Sequence, residues 1–411
     1  MSSGKQPVSS LTADVFIAGG GPVGLMLALG LAQINKKTVL AEPCPFVDSI
    51  RDETSKNSFD SRVLALSKGS QVFLRNIGLW QALKPYCTAI EHIHVSQKGY
   101  LGLTTLHANE VDVDALGYSV QSSDLGRVLW QAVEQSSEIT TLTPAQLNNF
   151  KQDQQGVAIE VSSANDKQEI IARIQAQLIV GADGTQSTVR QLLQLPIEEH
   201  LYEAFGVLAL IETEKHPQGW AYERFTEEGP VALLPLRNHF HKAVLVCPKE
   251  KVEQIKNLSD KEYLDFFAEK MGERLGRFTQ VSERVIYPLK EIYTPQRSSV
   301  RALLMGNASH TQHPVAAQGL NLGIRDIDVF LQMSQHYEDL GSARLLSEYL
   351  QQREPDHKKV MGLTDTLIQV FQHKSPMLGH LRGLGMIAMQ NIPSLKKRFS
   401  KFAMNGQRRS T

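Results

Sequence analysis

The stretch ADVFIAGGGPVGLMLALGLAQINKKTVLAE, residues 13–42, decides the fold. An apolar, strand-like run is followed by the turn GGGPVG, a long apolar helical run and a second short strand that ends in an acid. This is the G-x-G-x-x-G motif in its required order of strand, tight turn, helix and strand. The order predicts a doubly wound sheet with a dinucleotide site at the start of the helix.

Each glycine of the motif, and the acid, has a physical role in such a site. Gly19 permits the turn, Gly21 lets the backbone approach a pyrophosphate, and Gly24 lets the helix pack closely on the strand. The helix N-terminus offers N–H groups and the positive end of its dipole to the phosphates. Glu42 lies 18 residues after Gly24 (42 − 24), where an acid accepts hydrogen bonds from a ribose 2′-hydroxyl.

The uncharged run from residue 15 to residue 35 has a second interpretation, a membrane span. Three adjacent glycines and a proline near its start, and no basic segment before it beyond Lys5, argue against the span. A lone G-x-G-x-x-G is a weak signal, but strand, helix and acid in register favour the dinucleotide site. The motif alone does not say which dinucleotide binds.

The length and composition limit the number of structural units, the expected partners and the expected compartment. A chain of 411 residues predicts two or three structural units with a large core. Its 43 basic and 43 acidic residues balance, so no overall charge points to nucleic acid as a partner. Cys44, Cys87 and Cys247 are isolated, which fits a reducing compartment and argues against a disulfide framework. With the polar start MSSGKQPVSS, we expect a soluble, cytoplasmic protein.

The remaining pattern predicts that β-rich insertions interrupt the dinucleotide-binding unit. Its sheet elements recur near residues 13–42, 139–183 and 300–306, and a long helix is expected to begin near Asn321. The fold class is α/β, or α+β overall: a Rossmann-like domain with an inserted antiparallel β-sheet substrate domain and C-terminal helices. We assign residues 1–83, 119–195 and 293–375 to the first domain, 84–118 and 196–292 to the second, and 376–411 to a basic helical tail.

Several elements follow from hydrophobic periodicity. Residues 68–83 have helix-like spacing, and helices are expected over 124–134 and 260–271. Separate strands are expected over 170–174 and 176–180.

Two further motifs follow the first, VGADGTQSTVR at residues 180–190 and GNASHTQHPVAAQGLNLGIRD at residues 306–326. Together the three resemble the flavin-dependent aromatic hydroxylases related to para-hydroxybenzoate hydroxylase. The phrases DSRVLALS, IGLWQALKPYCTAIEHIHVSQKGYLG and YERFTEEGPVALLPL are similar to the ubiquinone-biosynthesis branch, and most of all to the 2-octaprenyl-6-methoxyphenol hydroxylases. The resemblance covers roughly residues 13–400.

The resemblance implies FAD as the cofactor and gives its ADP part to the first motif. Arg62 would reach the phosphates or the ribityl chain, although a lone arginine also forms surface salt bridges. The backbone at Leu147 would meet the adenine. Ser122 stands where relatives often carry arginine or glutamine, which leaves that contact open. Asp183 and Gly184 would form the family's shared flavin and nicotinamide motif; the alternative is that the acid caps the next helix.

The third motif is expected to hold the flavin ring. Gly306 and Asn307 stand where the wider family has Gly-Asp, and the asparagine can still accept a ribose hydroxyl proton, without a charge.

Pro314 corresponds to the family proline beside the reactive edge of the flavin. Gly319, Leu320 and Asn321 would contact the pyrimidine end of the ring through backbone N–H groups, where a helix N-terminus stabilises negative charge. His313 either relays a proton to the substrate hydroxyl or is a hydrogen-bonded structural histidine.

Two histidine pairs resemble metal ligands, His310 with His313 and His92 with His94. Neither pair has a third ligand at useful spacing in the sequence, so no metal site is expected.

The family chemistry takes hydride from NAD(P)H and adds O2 to the flavin, and a phenol ring then attacks the outer oxygen of the resulting C4a-hydroperoxide. The implied substrate is a polyprenyl phenol of the 2-polyprenyl-6-methoxyphenol type in ubiquinone synthesis. The alternatives are a sibling hydroxylase that acts at another ring position or on a small soluble phenol, a flavin-binding scaffold without catalysis, and a plain NAD dehydrogenase. Contacts with the ring are expected from residues 222–236.

The tail from residue 374 contains Lys and Arg but no Asp or Glu. A helix after Pro393 would place Leu395, Phe399 and Phe402 on one face and basic residues over the rest. Peripheral contact of residues 394–411 with an anionic membrane and packing on the protein's own domain are equal interpretations. A homo-oligomer or a ubiquinone-biosynthesis complex is left open.

Overall fold

The computed structural model describes residues 8–44, 62–272, 274–311, 318–372 and 376–405. Its first sheet is built on the opening motif and comprises β1 (Ser9–Ala18), β2 (Thr38–Ala41), β8 (Ile139–Leu142), β9 (Ala145–Gln152), β10 (Val157–Ser163), β11 (Ile170–Gly181), β18 (Ser298–Ser299) and β19 (Ala302–Leu304). Parallel pairing gives the order β19-β11-β1-β2-β8, and β9, β10 and β18 join in antiparallel pairs. The carboxyl ends of β1, β11 and β19 therefore meet at one edge.

The helix α1 (Pro22–Gln33) is a core helix. Its residues from Gly24 to Leu31 are all buried, because the sheet covers one side and α4 (Ser122–Glu134) and α8 (Gly319–Ser334) cover the other. A helix that is apolar on all sides belongs in such an environment. In the described part of the chain no helix is both long and apolar enough to cross a membrane.

The second sheet is antiparallel except for one parallel pair, β5 with β13. Its outer face is buried under α6 (Val252–Asn257) and α7 (Asp260–Met271). Its strands are β5 (His92–Gln97), β6 (Leu103–His107), β12 (Glu198–Thr213), β13 (Trp220–Thr226), β14 (Gly229–Pro235), β15 (Phe240–Pro248), β16 (Phe278–Val281), β17 (Val285–Tyr293) and β20 (His310–Thr311).

A small sheet joins the two large ones. Its strands β3 (Val63–Ser67), β7 (Gly117–Gln121) and β4 (Cys87–Ile90) pair in the order β3-β7-β4. Lys242 on β15 donates a hydrogen bond from Nζ to the carbonyl oxygen of Val63 at 2.5 Å. Ser119 on β7 donates to the carbonyl oxygen of Pro235 on β14. These bonds bring the inner face of the second sheet against β3 and β7.

The C-terminal helices are α9 (Ala343–Gln372), α10 (Pro376–Asn391) and α11 (Pro393–Asn405). Phe399 and Met404 of α11 pack on the apolar cluster around Leu106 and Val111, and Lys396 is buried in an ion pair with Glu110 at 2.7 Å. The helix thus packs on its own domain, the second of the two interpretations. Membrane contact through residues 394–411 stays a prediction.

The α/β fold class is confirmed, and several element bounds differ from the sequence prediction. Gly78, with φ +76°, separates α2 (Lys68–Asn76) from α3 (Trp80–Leu83). The two strands expected over 170–174 and 176–180 form one strand, β11, because it pairs with β1 continuously from Ala172 to Gly181. The remaining helix, α5 (Thr188–Leu192), follows β11. The division into domains at the stated bounds stays a prediction.

Candidate cofactor site

The three sequence motifs meet at the carboxyl edge of the first sheet. Gly19 has φ +105°, and a Cβ there would lie 2.5 Å from the carbonyl oxygen of Ala182, so the turn after β1 rests on the turn after β11. Gly306, in a short 3-10 turn after β19, has φ +58°, and a Cβ there would lie 2.9 Å from Val23 in the first turn of α1. Such close approaches of backbone require glycine.

Glu42 follows β2 directly, beside the glycine turn. Its Oε2 accepts the N–H of Gly20 at 2.6 Å and its Oε1 accepts the N–H of Cys44 at 2.9 Å. Burial raises the pKa of this carboxyl, and the two N–H groups oppose that rise. In the structure, Glu42 therefore hydrogen-bonds to the glycine turn. The sequence motif predicts that the same carboxylate contacts a ribose.

Asp183 and Arg190 fix the second motif. Asp183 Oδ2 accepts the N–H groups of Thr188 at 2.6 Å and Val189 at 3.3 Å, so the acid caps α5, the interpretation that the sequence argument placed second. The Arg190 guanidinium donates to the carbonyl oxygens of Ala308 at 2.9 Å and Thr185 at 2.6 Å. Arg190 thus ties the second motif to the third. A contact of Asp183 or Gly184 with a cofactor stays a prediction.

Asn321 anchors the start of α8 to β3. Its Oδ1 accepts the N–H of Ser67 at 2.8 Å and the hydroxyl of Ser70 at 2.7 Å, and its Nδ2 donates to the carbonyl oxygen of Ala65 at 2.9 Å. The first bond within α8 runs from the Leu322 N–H to the Gln318 carbonyl, so the N–H groups of residues 319–321 precede the helical ladder. Their expected contact with a flavin ring stays a prediction.

The other expected residues are placed as follows. Asn307 is exposed at the 3-10 turn, and Arg62 is exposed at the start of β3, where its carbonyl accepts the Ser122 N–H at 2.7 Å. The side chain of Leu147 is buried in the core of the first sheet, two residues after the start of β9, where the Ala145 N–H donates to the carbonyl oxygen of Glu42. His313 and Pro314 lie outside the described residues.

The edge fits a dinucleotide on two structural observations. Gly21, the N-cap of α1, offers no side-chain cap, and the first turn of the helix carries no acid, so a phosphate meets a helix N-terminus without a competing anion. Asp183 Oδ1 is buried, and within the described ranges it has no hydrogen-bond partner. An unpaired buried acceptor is costly, so a ligand hydroxyl fits at this atom.

The sequence analysis did not predict a buried ionic cluster that joins α8 to α9. Asp326 on α8 accepts at Oδ1 from Arg353 Nε at 2.6 Å and from His357 Nε2 at 2.8 Å, both on α9. The His310 ring lies 4.9 Å from the His357 ring, and burial, followed by the charge of His357, lowers the pKa of His310 to about 3. His310 and Asp326 both belong to the third motif, and their presence there was the only feature of the sequence that pointed to this cluster.

The same cluster corrects one sequence argument about metals. His310 does have neighbouring ligand types in space, because its ring, Asp326 and His357 present ligand atoms within 4.8 Å of one another. The Asp326 oxygen already pairs with a guanidinium, which opposes a cation there. Of the other pair, His92 hydrogen-bonds to His107 and His94 lies against Tyr222.

Comparison with known proteins identifies the family. The model of the FAD-binding domain family matches residues 12–364. The chain belongs to this family. The protein is an FAD-dependent monooxygenase of the α/β fold just described, and the sequence resemblance to flavin-dependent hydroxylases is confirmed.

Individual relatives cover nearly the whole chain. The 3-demethoxyubiquinol 3-hydroxylase of Escherichia coli is 29% identical over 95% of this chain and 98% of its own. The ubiquinone hydroxylase UbiL of Rhodospirillum rubrum is 29% identical over 95% of this chain and 89% of its own. The crystal structure of p-nitrophenol 4-monooxygenase PnpA from Pseudomonas putida superposes with a TM-score of 0.76 at 16% identity, covering 98% of this chain and 100% of that one.

Replacement of Glu42 by glutamine tests the acid at the end of β2. An amide presents N–H donors where the carboxylate accepts two backbone N–H groups, so the glycine turn loses a partner. We expect the Kd for FAD to rise about tenfold, or about 1.4 kcal/mol. Titration of flavin-free protein, followed by quenching of FAD fluorescence, measures it. Glu134→Gln, at the exposed end of α4, should leave Kd unchanged; equal affinities in the Glu42 and Glu134 variants would refute the role.

Proposed function

We propose that the protein uses FAD, NAD(P)H and O2 to hydroxylate the ring of a polyprenyl phenol in ubiquinone synthesis. The observation that supports this most directly is the apolar inner face of the second sheet, which lies against the strand that anchors the N-terminus of α8. The names of the relatives, ubiquinone and demethoxyubiquinol hydroxylases, support the same substrate class.

The two faces of the second sheet differ in burial. Positions such as Val207, Leu233 and Leu245 are fully buried under α7. Several apolar residues at the alternate positions of the inner face remain partly exposed, namely Leu208, Ala232, Leu234 and Val244. One row crosses four strands and consists of Glu223, Ala232, Val244 and Leu208. A partly exposed apolar face opposite a cofactor edge is the surface that an isoprenoid-bearing ring requires.

The inner face is linked to the cofactor edge through β3. Lys242, on this face, donates to the Val63 carbonyl of β3, and Asn321 of α8 binds Ala65 and Ser67 of the same strand. A phenol between the inner face and α8 would therefore lie beside the flavin ring. Of the 222–236 segment, alternation places Glu223, Ala232 and Leu234 toward this space and Tyr222 and Leu233 toward α7.

Glu223 is the acid in the apolar row. Burial raises the pKa of its carboxyl to about 7. A carboxyl with that pKa accepts and returns a proton near neutral pH, which suits a base that takes the phenol proton as the electron-rich ring attacks the oxygen atom. Nothing in the local sequence distinguishes Glu223 from other acids, and for that reason the sequence argument did not find it.

In the proposed reaction the residues of this chain orient the phenol, exclude water from it and accept its proton. Bound FAD, reduced by NAD(P)H, supplies the oxygen-transfer chemistry. The N-terminus of α8 stabilises negative charge on the ring edge, the apolar row excludes water, and Glu223 holds the phenol proton.

A product analysis tests the proposal. The purified protein is given a short-chain prenyl phenol, NADPH or NADH, and 18O2. We expect one labelled oxygen atom in the hydroxylated product. NADPH oxidation without product would favour the scaffold interpretation, and labelling of small soluble phenols alone would favour the sibling hydroxylase. Deletion of the gene in its host, with identification of the quinone precursor that accumulates, gives the ring position.

Replacement of Glu223 by glutamine should lower kcat about 100-fold, because the amide takes up no proton. The pKa is raised, so wild-type kcat should rise with pH through an ionisation near 7, and this ionisation should be missing in Glu223→Gln. Steady-state rates of product formation from pH 5.5 to 8.5 measure both. Glu227→Gln, exposed in the same hairpin, is the matched control. An unchanged pH profile in the Glu223 variant, with FAD retained, would exclude it as the base.

A further inference from the structure

A cavity lies on the outer face of the second sheet, away from the cofactor edge. It has a volume of about 230 Å3 and is lined by residues of β5, β13 and the segment after α7. Tyr222 and Arg224 of β13 line it, and they alternate along the strand with Glu223, which faces the other way. This β5–α7 pocket is therefore separated from the proposed substrate space by the thickness of the sheet.

The pocket carries two positive charges, and the described residues that line it include no acid. Arg224 and Arg274 both line it, and burial, followed by the charge of Arg274, lowers the pKa of Arg224. Arg224 Nη1 donates to the carbonyl oxygen of Met271 at 2.9 Å, and its Nε is buried with no hydrogen-bond partner in the described chain. Neither arginine forms an ion pair with an acid of the described residues. Two guanidinium groups that line one pocket without a carboxylate partner favour the binding of an anion there.

One buried ring nitrogen at the pocket also lacks a partner. His94, which pairs with Tyr222 and lies on the same face of the sheet, is 4% exposed and its Nε2 is unpaired, as judged over the residues that the structure describes. Burial and the charge of Arg274 lower the pKa of His94 to about 4, so its ring is neutral near pH 7. Native proteins leave few buried polar atoms unpaired, and each needs an explanation. A ligand that offers both anionic oxygens and a hydroxyl hydrogen satisfies all of these groups.

We propose that the β5–α7 pocket binds a phosphate ester, and that this site is distinct from the FAD and substrate sites. The phosphate oxygens meet Arg224 and Arg274, a ligand hydroxyl meets His94 Nε2, and the carbon part lies against Tyr222 and Met271. The same chemistry is found in soluble phosphate esters and in phospholipid headgroups. Leu101, at the rim of the pocket, is 86% exposed, so the lipid source has a place for its apolar part.

Isothermal titration with glycerol 3-phosphate tests the site on FAD-loaded protein. We expect saturable binding at submillimolar to millimolar concentration in the wild type, and at least a tenfold weaker Kd in Arg274→Gln. Arg274 is exposed, so this variant should retain the wild-type Tm and FAD content. The matched control is Arg277→Gln, because Arg277 is 87% exposed, lies three residues further on and does not line the pocket. This control should keep the wild-type Kd.

Flotation with vesicles distinguishes the two sources of the phosphate. Binding to phosphatidylcholine vesicles that contain phosphatidic acid, lost in Arg274→Gln and kept in Arg277→Gln, would assign the pocket to a lipid headgroup. Saturable binding of glycerol 3-phosphate without vesicle binding would assign it to a soluble ester. The proposal is overturned if neither probe binds up to about 10 mM phosphate, or if Arg277→Gln weakens binding as much as Arg274→Gln, since that result would indicate nonspecific attraction.

Discussion

Replacement of Gly24 by alanine is expected to abolish tight FAD binding. A Cβ at this position would lie 2.0 Å from the carbonyl oxygen of Gly19 and 3.3 Å from the side chain of Ile17. The nearest of these atoms is backbone, so the glycine turn itself has to move, and the turn is where the pyrophosphate meets the N-terminus of α1. We expect the Kd for FAD to rise at least 100-fold, about 2.7 kcal/mol, with a loss of about 1–3 kcal/mol in the free energy of unfolding.

A variant at a second glycine of the same helix, Gly30, distinguishes an effect on FAD binding from an effect on stability. A Cβ at Gly30 would lie 2.2 Å from Leu331 Cδ1, the far end of a side chain on α8, and far from the turn. Gly30→Ala should therefore lower the Tm of flavin-free protein and keep wild-type affinity for FAD. The flavin content of the purified variants and a fluorescence titration measure both quantities. Wild-type affinity in Gly24→Ala, or an equal loss in Gly30→Ala, would contradict the role assigned to the turn.

The elements predicted well from the sequence are those whose signals are local. The turn at Gly19 requires a positive φ and a close backbone approach, and both requirements are visible as glycine in the sequence. The helix α7 was predicted with its observed bounds from hydrophobic periodicity, and in the structure Ser259 and Glu262 form a capping box at its start. Local chemistry of this kind depends on neighbours in sequence and needs no knowledge of the fold.

The elements that were not predicted depend on partners distant in sequence. The core-facing side of α9 carries Arg353, Asp356 and His357, so its buried face lacks hydrophobic periodicity, and Pro355 suggests a helix end. The inner face of the second sheet could be assigned only after strand pairing fixed which alternate residues face α7. Glu223 could be recognised as a candidate base only from the structure for the same reason. Its raised pKa depends on burial among the apolar neighbours that strand pairing brings to it.

Replacement of Asp326 by asparagine should cost about 3–5 kcal/mol in the free energy of unfolding, because it removes one partner of a buried ionic network. Asp326 and Arg353 are 2% and 5% exposed, and Arg353 also pairs with Asp356 at 2.7 Å. Burial raises the pKa of Asp326, but the charges of His357 and Arg353 prevail and hold it well below its usual range. The neutral amide leaves Arg353 buried beside a single carboxylate that Arg325 shares at 2.8 Å.

Urea unfolding of flavin-free protein measures this cost and its pH dependence. Since the folded-state pKa of Asp326 is depressed, its stabilisation is complete above the unfolded-state pKa of about 3.9 and is lost as the pH falls below it. The ionisation of Asp326 itself should thus add nothing to the difference between pH 7 and pH 5 in the cost of Asp326→Asn. Glu160→Gln, which breaks an exposed ion pair with Arg173, should cost at most about 1 kcal/mol. Equal costs in the two variants would mean that the network contributes no more than a surface pair.

The same variant connects the network to the cofactor. Asp326 ties α8 to α9, and α8 begins with the residues expected to contact the flavin ring, held to β3 by Asn321. If the network positions α8, Asp326→Asn that is still folded should bind FAD more weakly and shift its visible absorption spectrum, because the environment of the ring changes. Glu160→Gln should do neither. A folded Asp326→Asn with wild-type FAD affinity and spectrum would limit the network to a role in stability, since α8 would then hold its position through β3 alone.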